Sequence, residues 1–400
     1  MSKRPTYKRS AASFPHVAGY ERPLSKRPGP DARLRDTLGL PPRYDRRHRP
    51  SWKRALQDIL WRHNERHASK PKSVSSKTQT ERACALFRCF ADLHALGYKI
   101  RNPYCLGGRH IRALVEDWTS PQPRARRSTL SPATIQTELS ALRTLSIWIG
   151  KPGLVLPAER YVSDPVLVTR HYAATSDKSW RGHEIDADAL IEKIAAYDAW
   201  VGAELRLARA FGLRVKETIM LQPRLAEKPP GEVIGPSGWT GPHLKVLRGT
   251  KGGRLRFVPI DTPAKRAALD VAKELVAEDS HYLADPRRSL VQNLNRLGNV
   301  MKKFGVTQKD LGVTAHGLRH EYAGDRYEAV AGVSPPVRQG ARTDAATDER
   351  ARLQLADELG HSRVQITGAY LGQSAVMRSK RCDGSATATS ARESEGANST

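Results

Sequence analysis

Apolar residues recur every three or four positions along most of the chain and alternate in only one short region. That period of three to four is the mark of helices with one buried face. Leu56, Ile59, Leu60 and Trp61 mark a first helix within 51–68. Ala83, Leu86, Phe87, Phe90, Leu93 and Leu96 hold the period from Thr78 to Leu96, and Gly97 ends it. Ile111 to Trp118 reads as a further helix. Ser131 and Pro132 open the next, because serine suits the N-cap and proline the first turn. Its stripe of Ile135, Leu139, Leu142, Leu145 and Ile149 stops near Gly150. Residues 51–153 are therefore expected to form a compact helical bundle.

The segment 154–182 contains Pro, Gly and Ser with little periodicity and reads as a linker between domains. Helices resume at Asp186 and again from Ala199 to Ala210, where Gly212 breaks the pattern just before Arg214. Leu244 to Arg248 and Arg254 to Ile260 are rich in strand-forming residues. The turn Gly249-Thr-Lys251-Gly-Gly253 joins them, which predicts a hairpin. Pro259 confines the second strand to a sheet edge. Helices are expected at 262–277, 289–304 and 317–330, a loop over 331–347, and a helix over 348–359. Gly360 reads as the C-terminal cap of that helix. Ser362 with Gln365 reads as a capping box opening a short helix, with Tyr370 about two turns into it. The fold expected is mainly α with a small antiparallel β-sheet. Its parts are a basic arm over 1–50, the bundle over 51–153, the linker, a second domain over 183–375 and a tail over 376–400.

Charge changes the picture. The formal net charge is +26 and the pI about 10.2. Such an excess points to a polyanionic partner rather than to a fold. Residues 1–50 alone carry thirteen Lys and Arg against four Asp and Glu. That composition cannot bury a core and reads as a mobile arm, either solubilising or lying along phosphates. No run of about 18 apolar residues exists, so no membrane span is expected. The basic N-terminus lacks the apolar stretch of a secretory signal. Cys84, Cys89, Cys105 and Cys382 match neither a zinc pair nor a redox motif, and read as reduced thiols.

The candidate chemistry lies in the second half. Phe211-Gly-Leu-Arg214-Val-Lys-Glu217 supplies an arginine, the hairpin turn supplies Lys251, and His316-Gly-Leu-Arg319-His320 supplies a histidine and a second arginine. Leu359-Gly-His361 is followed, nine residues after the histidine, by Tyr370. Two Arg, a Lys, two His and a Tyr suit attack on a phosphodiester. Gly-Thr-Lys-Gly-Gly lacks the spacing of a nucleotide-binding loop. No acidic cluster of the kind that holds Mg²⁺ accompanies these residues.

In residue types and in order, this set resembles the tyrosine recombinase (phage integrase) family. The resemblance covers about 185–375 closely and 75–150 loosely. It implies that the bundle is a DNA core-binding domain and 183–375 the catalytic domain, the two closing on a duplex. It implies Arg214, Lys251, His316, Arg319, His361 and Tyr370 as catalytic residues. Arg214 and Arg319 would clamp the phosphate, since guanidinium forks bind two oxygens and stay charged. Tyr370 would be the nucleophile. A phenol keeps its proton to about pH 10, so it needs a base or nearby cations. His316 would act as general base or acid, His361 would hydrogen-bond the phosphate, and Lys251 would protonate the departing 5′-oxygen. Glu217 reads as structural, pairing with a cation or a helix end, and Tyr322 and Tyr327 read as packing.

The function implied is site-specific recombination of double-stranded DNA through a 3′-phosphotyrosyl intermediate, without metal, ATP or other cofactor. A homotetramer on two DNA sites, an accessory bending or directionality factor and a cytoplasmic, nucleoid-associated setting in a bacterium belong to the same expectation. A type IB topoisomerase uses the same residues, and a catalytically silent DNA-binding accessory protein could keep the fold. One departure stands out: the gap from Arg319 to His361 is longer than the family's usual spacing, with extra sequence around 331–350.

Overall fold

The structure, a computed structural model, describes residues 52–373 apart from 69 and 234–236. The arm over 1–50, the tail over 376–400 and Cys382 lie outside the described residues. The chain divides into two compact units between His171 and Tyr172.

In the first unit, α1 (Trp52–His63), α2 (Ser76–Ala95), α3 (Gly108–Thr119) and α4 (Pro132–Trp148) bury the stripes read from the sequence. Ser131 caps α4, its hydroxyl accepting from the Thr134 amide at 3.3 Å, with Pro132 in the first turn. Between α2 and α4 the core admits charge. Glu138, fully buried, accepts from Arg88 at 2.8 and 3.0 Å and from the Cys89 thiol at 3.3 Å. Asp92 accepts from the Trp118 indole and from Arg126. Buried carboxylates persist only when paired in this way. Cys84, Cys89 and Cys105 are free. The segment read as a linker carries short 3-10 turns at Ala158–Tyr161, Pro165–Leu167 and Arg181–His183.

The second unit is built on α6 (Ala199–Phe211), which packs against α5 (Ala187–Tyr197), α9 (Pro263–Glu274) and α11 (Gly317–Ala331). It therefore buries residues around most of its circumference, from Val201 to Phe211. Two short helices follow it, α7 (Val215–Ile219) and α8 (Pro223–Ala226). The sheet is antiparallel in the order β1 (Glu227–Lys228), β2 (His243–Val246), β3 (Arg256–Pro259). Pro259 pairs with His243 on the edge strand, where a missing amide costs no ladder bond. The two-residue β1 has no sequence period to betray it.

The remaining helices are α10 (Leu290–Lys303), α12 (Ala345–Glu358) and a single turn, α13 (Gly368–Leu371). No helix among the described residues is long and apolar enough to cross a membrane.

Candidate active site

Two helix ends build the site. The chain leaves α12 through a Schellman turn: the Gly360 amide bonds the Asp357 carbonyl at 2.9 Å and the His361 amide the Ala356 carbonyl at 2.7 Å. Gly360 takes φ 69°, the left-handed conformation that a residue without Cβ adopts at no steric cost. His361 is thereby fixed just past the helix terminus. Helix α6 ends likewise at Gly212, leaving its last carbonyls without partners inside the helix.

Arg319 joins these two ends. It lies in the first turn of α11 and is fully buried. Nη1 donates to the Gly212 carbonyl, and Nη2 donates to the Leu359 carbonyl at 2.7 Å. A cation is well placed there, because helix C-termini carry partial negative charge. Nε then donates to Tyr370 Oη at 3.1 Å, and Nη2 lies 3.5 Å from His361 Nε2. Burial first, then the charges of Arg214 and Arg256, lower Arg319 to about 10, so it stays charged at neutral pH.

Glu217 is the counter-charge. It caps α7 by accepting from the Arg214 amide at 2.9 Å and pairs with Arg214 Nη1 at 2.6 Å. Its two oxygens also accept from Arg256 at 3.2 and 2.6 Å. Burial disfavours its charge, but the bonds and charge of Arg256, then the charge of Arg214, win and hold the carboxyl at about 2. Glu217 thus takes both structural roles expected of it. Arg214 keeps 28% of its side chain exposed and remains free to meet a ligand.

Three imidazoles surround the Tyr370 ring. His320 lies 4.8 Å away between centroids, His361 5.7 Å and His316 6.1 Å. Burial lowers His316 to about 4, helped by Arg319 and Arg214; it lowers His320 to about 4 and His361 to about 3. All three are uncharged near neutral pH and can accept a proton. Each free imidazole titrates near 6.5. From about pH 6.5 down to about 4 the unfolded chain therefore binds more protons than the folded one, and stability is lost as pH falls through that window. The melting temperature of the second unit should drop between pH 7 and pH 5. Replacing His361 by Asn should flatten that slope, and an unchanged slope would remove His361 as a cause.

Five of the six residues named from sequence gather here. Lys251 stands apart, exposed on the turn Lys251–Gly253 between β2 and β3. One expectation needs correction. Ser362 does not cap a helix: the chain runs extended through Arg363 (φ −141°, ψ 133°), which precedes a 3-10 turn at Val364–Thr367. That turn runs directly into α13 with helical backbone at the junction (Thr367 φ −62°, ψ −24°; Gly368 φ −55°, ψ −26°), so Tyr370 lies about two turns into the helical run, as expected. The Schellman turn explains why Ser362 is no cap, because it carries the backbone past that residue before helical geometry resumes at Val364. Sequence reasoning also missed Arg256 and the closeness of His320. Arg256 was detectable as a charge at an inward position of an alternating strand, next to Val258 on the same face.

Residues 171–325 match the family model described as integrase. That match supports the resemblance of this part of the chain to the tyrosine recombinase (phage integrase) family. Among solved structures it is similar to a lambda integrase dimer bound to a COC′ core site, at 17% identity over 78% of this chain and 94% of that one, with a TM-score of 0.46. It is also similar to the Tn1549 transposon integrase in complex with transposon right end DNA, at 13% identity over 82% and 98%, TM-score 0.46. A lambda integrase tetramer bound to a Holliday junction matches at 16% identity over 79% and 76%, TM-score 0.43. No curated protein matches the chain.

Proposed function

We propose that this recombinase cuts and rejoins specific DNA sites through a covalent bond between Tyr370 and a 3′-phosphate, serving the integration or excision of a mobile element. The 3.1 Å bond from Arg319 Nε to Tyr370 Oη carries the reading. It places a phenol oxygen against a buried cation, among imidazoles that are uncharged at neutral pH. A scissile phosphate set beside Arg214, Arg319 and His361 would find preorganised positive charge where its own charge builds, usually the largest catalytic contribution. The phenol oxygen attacks phosphorus, an imidazole takes its proton, and the 5′-oxygen leaves with a proton from Lys251. The phosphotyrosyl bond conserves the energy of the broken linkage, so rejoining is the same step in reverse, with a 5′-hydroxyl as nucleophile.

Cations do the work that bound Mg²⁺ does elsewhere, so activity should survive chelation. Among the described residues no three of His, Cys, Asp or Glu gather as metal ligands. Two DNA sites exchanging strands call for four copies of the chain on DNA. The test is incubation of the full chain with duplexes drawn from the DNA flanking its own gene, with EDTA present. We expect SDS-resistant protein–DNA adducts and new junctions on sequencing. Supercoil relaxation without new junctions would make it a topoisomerase. Cleavage that stops with EDTA and returns with Mg²⁺ would overturn the mechanism.

A further inference from the structure

The extra sequence around 331–350 lies against the turn that carries Tyr370. After α11 the chain closes a tight loop over 333–340, in which the Arg338 amide bonds the Pro335 carbonyl at 2.8 Å. Its 3-10 turn, Pro336–Arg338, packs on α13. At Gly372, just past α13, a Cβ would lie only 3.2 Å from the Val337 amide nitrogen and 3.4 Å from the Ala174 carbonyl. The Ala174 amide in turn donates to the Gly368 carbonyl at 2.8 Å. The tyrosine-bearing turn is therefore held between the 333–340 loop and the segment around 173–177.

Arg338 ties those two sides together. Its Nε bonds Asp177 at 3.1 Å and its Nη1 bonds Asp325 at 2.7 Å, with Glu328 at 3.8 Å. Nη2 reaches the Glu321 carbonyl at 3.4 Å. The side chain is only 10% exposed although it comes from a surface loop. Room for it is made on α11 by Gly324, where a Cβ would fall 2.4 Å from the guanidinium carbon. A largely buried cation shared by three carboxylates from two elements is a fixed joint, unlike an exposed pair.

We propose that Arg338 is a positioning residue for Tyr370: it fastens the 333–340 loop to Asp177 and so seats the turn that presents the phenol. This rests on the reading of Tyr370 as nucleophile. The helical run Val364–Leu371 cannot hold itself, since about two turns fall well below the length at which a helix is stable alone. Its orientation is thus set by what packs on it. Arg352 Nη1 also reaches the Gly372 carbonyl, at 3.3 Å, so loss of Arg338 loosens the turn without releasing it.

The test compares Arg338→Ala, Arg338→Lys and Asp177→Asn with the parent protein, on a flanking-DNA duplex that the parent converts to adduct. Rates are taken per bound complex at saturating DNA, which removes any loss in folding or affinity. Misplacement by about 1 Å can cost on the order of 10²-fold in rate. We expect Arg338→Ala to fall by about tenfold or more, with part of the rate regained in Arg338→Lys. Asp177→Asn should show a smaller loss in the same direction, and it decides the matter if Arg338→Ala does not fold. Hydrogen exchange at the Ala174 and Gly372 amides should quicken in the variants. Unchanged or faster adduct formation per bound complex overturns the proposal. No adduct from the parent, or an adduct from Tyr370→Phe, instead refutes the reading of Tyr370. In that event the exchange of those two amides alone decides whether Arg338 seats the turn, and unaltered exchange would refute it.

Discussion

Tyr370→Phe should bind DNA as the parent does and form no SDS-resistant adduct. The substitution removes a single oxygen. The ring keeps its contacts with His316, His320 and His361. Arg319 loses the acceptor of its Nε but keeps the Gly212 and Leu359 carbonyls, so the joint between the two helix ends survives. A donor left without its partner in a buried place costs about 1–3 kcal/mol, too little to unfold the unit. The expected result is thus complete loss of covalent chemistry in a folded protein. An adduct from the variant would direct attention to Tyr322 or Tyr327, and the structure makes both poor substitutes. Tyr322 donates its hydroxyl proton to Glu358, and burial, then that carboxylate, push its phenol well above the usual range. Tyr327 donates to Asp348 at 2.7 Å and is raised for the same reasons. Of these three tyrosines, it is Tyr370 whose oxygen accepts from a cation.

What was legible in the sequence was local. Helix ends announce themselves through backbone needs that few residues meet, so Ser131 with Pro132, Asp186, Gly212 and Gly360 all mark real termini. Arg214, Arg319 and His361 were legible as a motif because each sits beside such a terminus, where spacing along the chain is rigid. The misses lie where geometry depends on distant partners. Ser362 and Gln365 have the residues of a capping box, but the preceding turn uses up the backbone that the box would need. Arg256 forms no motif with its neighbours; its meaning comes from Glu217, thirty-nine positions earlier, and from the Glu358 carbonyl. The packing of the 333–340 loop on α13 was hidden for the same reason, since Asp177 and Arg338 are 161 positions apart.

Lys251→Ala should bind DNA nearly as well as the parent and cleave it slowly, by the factor of about 10²–10⁴ that general acid help supplies. Gly249 lies so close to α7 that a Cβ there would fall 2.4 Å from the Lys216 carbonyl oxygen. The hairpin is therefore docked on the short helix that Arg214 begins, and Lys251 lies two residues from that fixed point. Its ammonium is exposed and has no hydrogen bond or ion pair among the described residues, so it can swing to a ligand. Arg214 and Arg319, by contrast, are held by Glu217 and by two helix-end carbonyls, and guanidinium gives up protons poorly. DNA with sulfur in place of the 5′-bridging oxygen has a leaving group that needs little protonation. Such DNA should restore cleavage to Lys251→Ala and not to Arg214→Ala. Arg214 is the better comparator, because Arg319→Ala would also strip the Gly212 and Leu359 carbonyls of their donor and leave Glu217 short of a nearby charge. Equal rescue of the Lys251 and Arg214 variants, or none for Lys251→Ala, would make Lys251 one more phosphate contact and place the acid at His316.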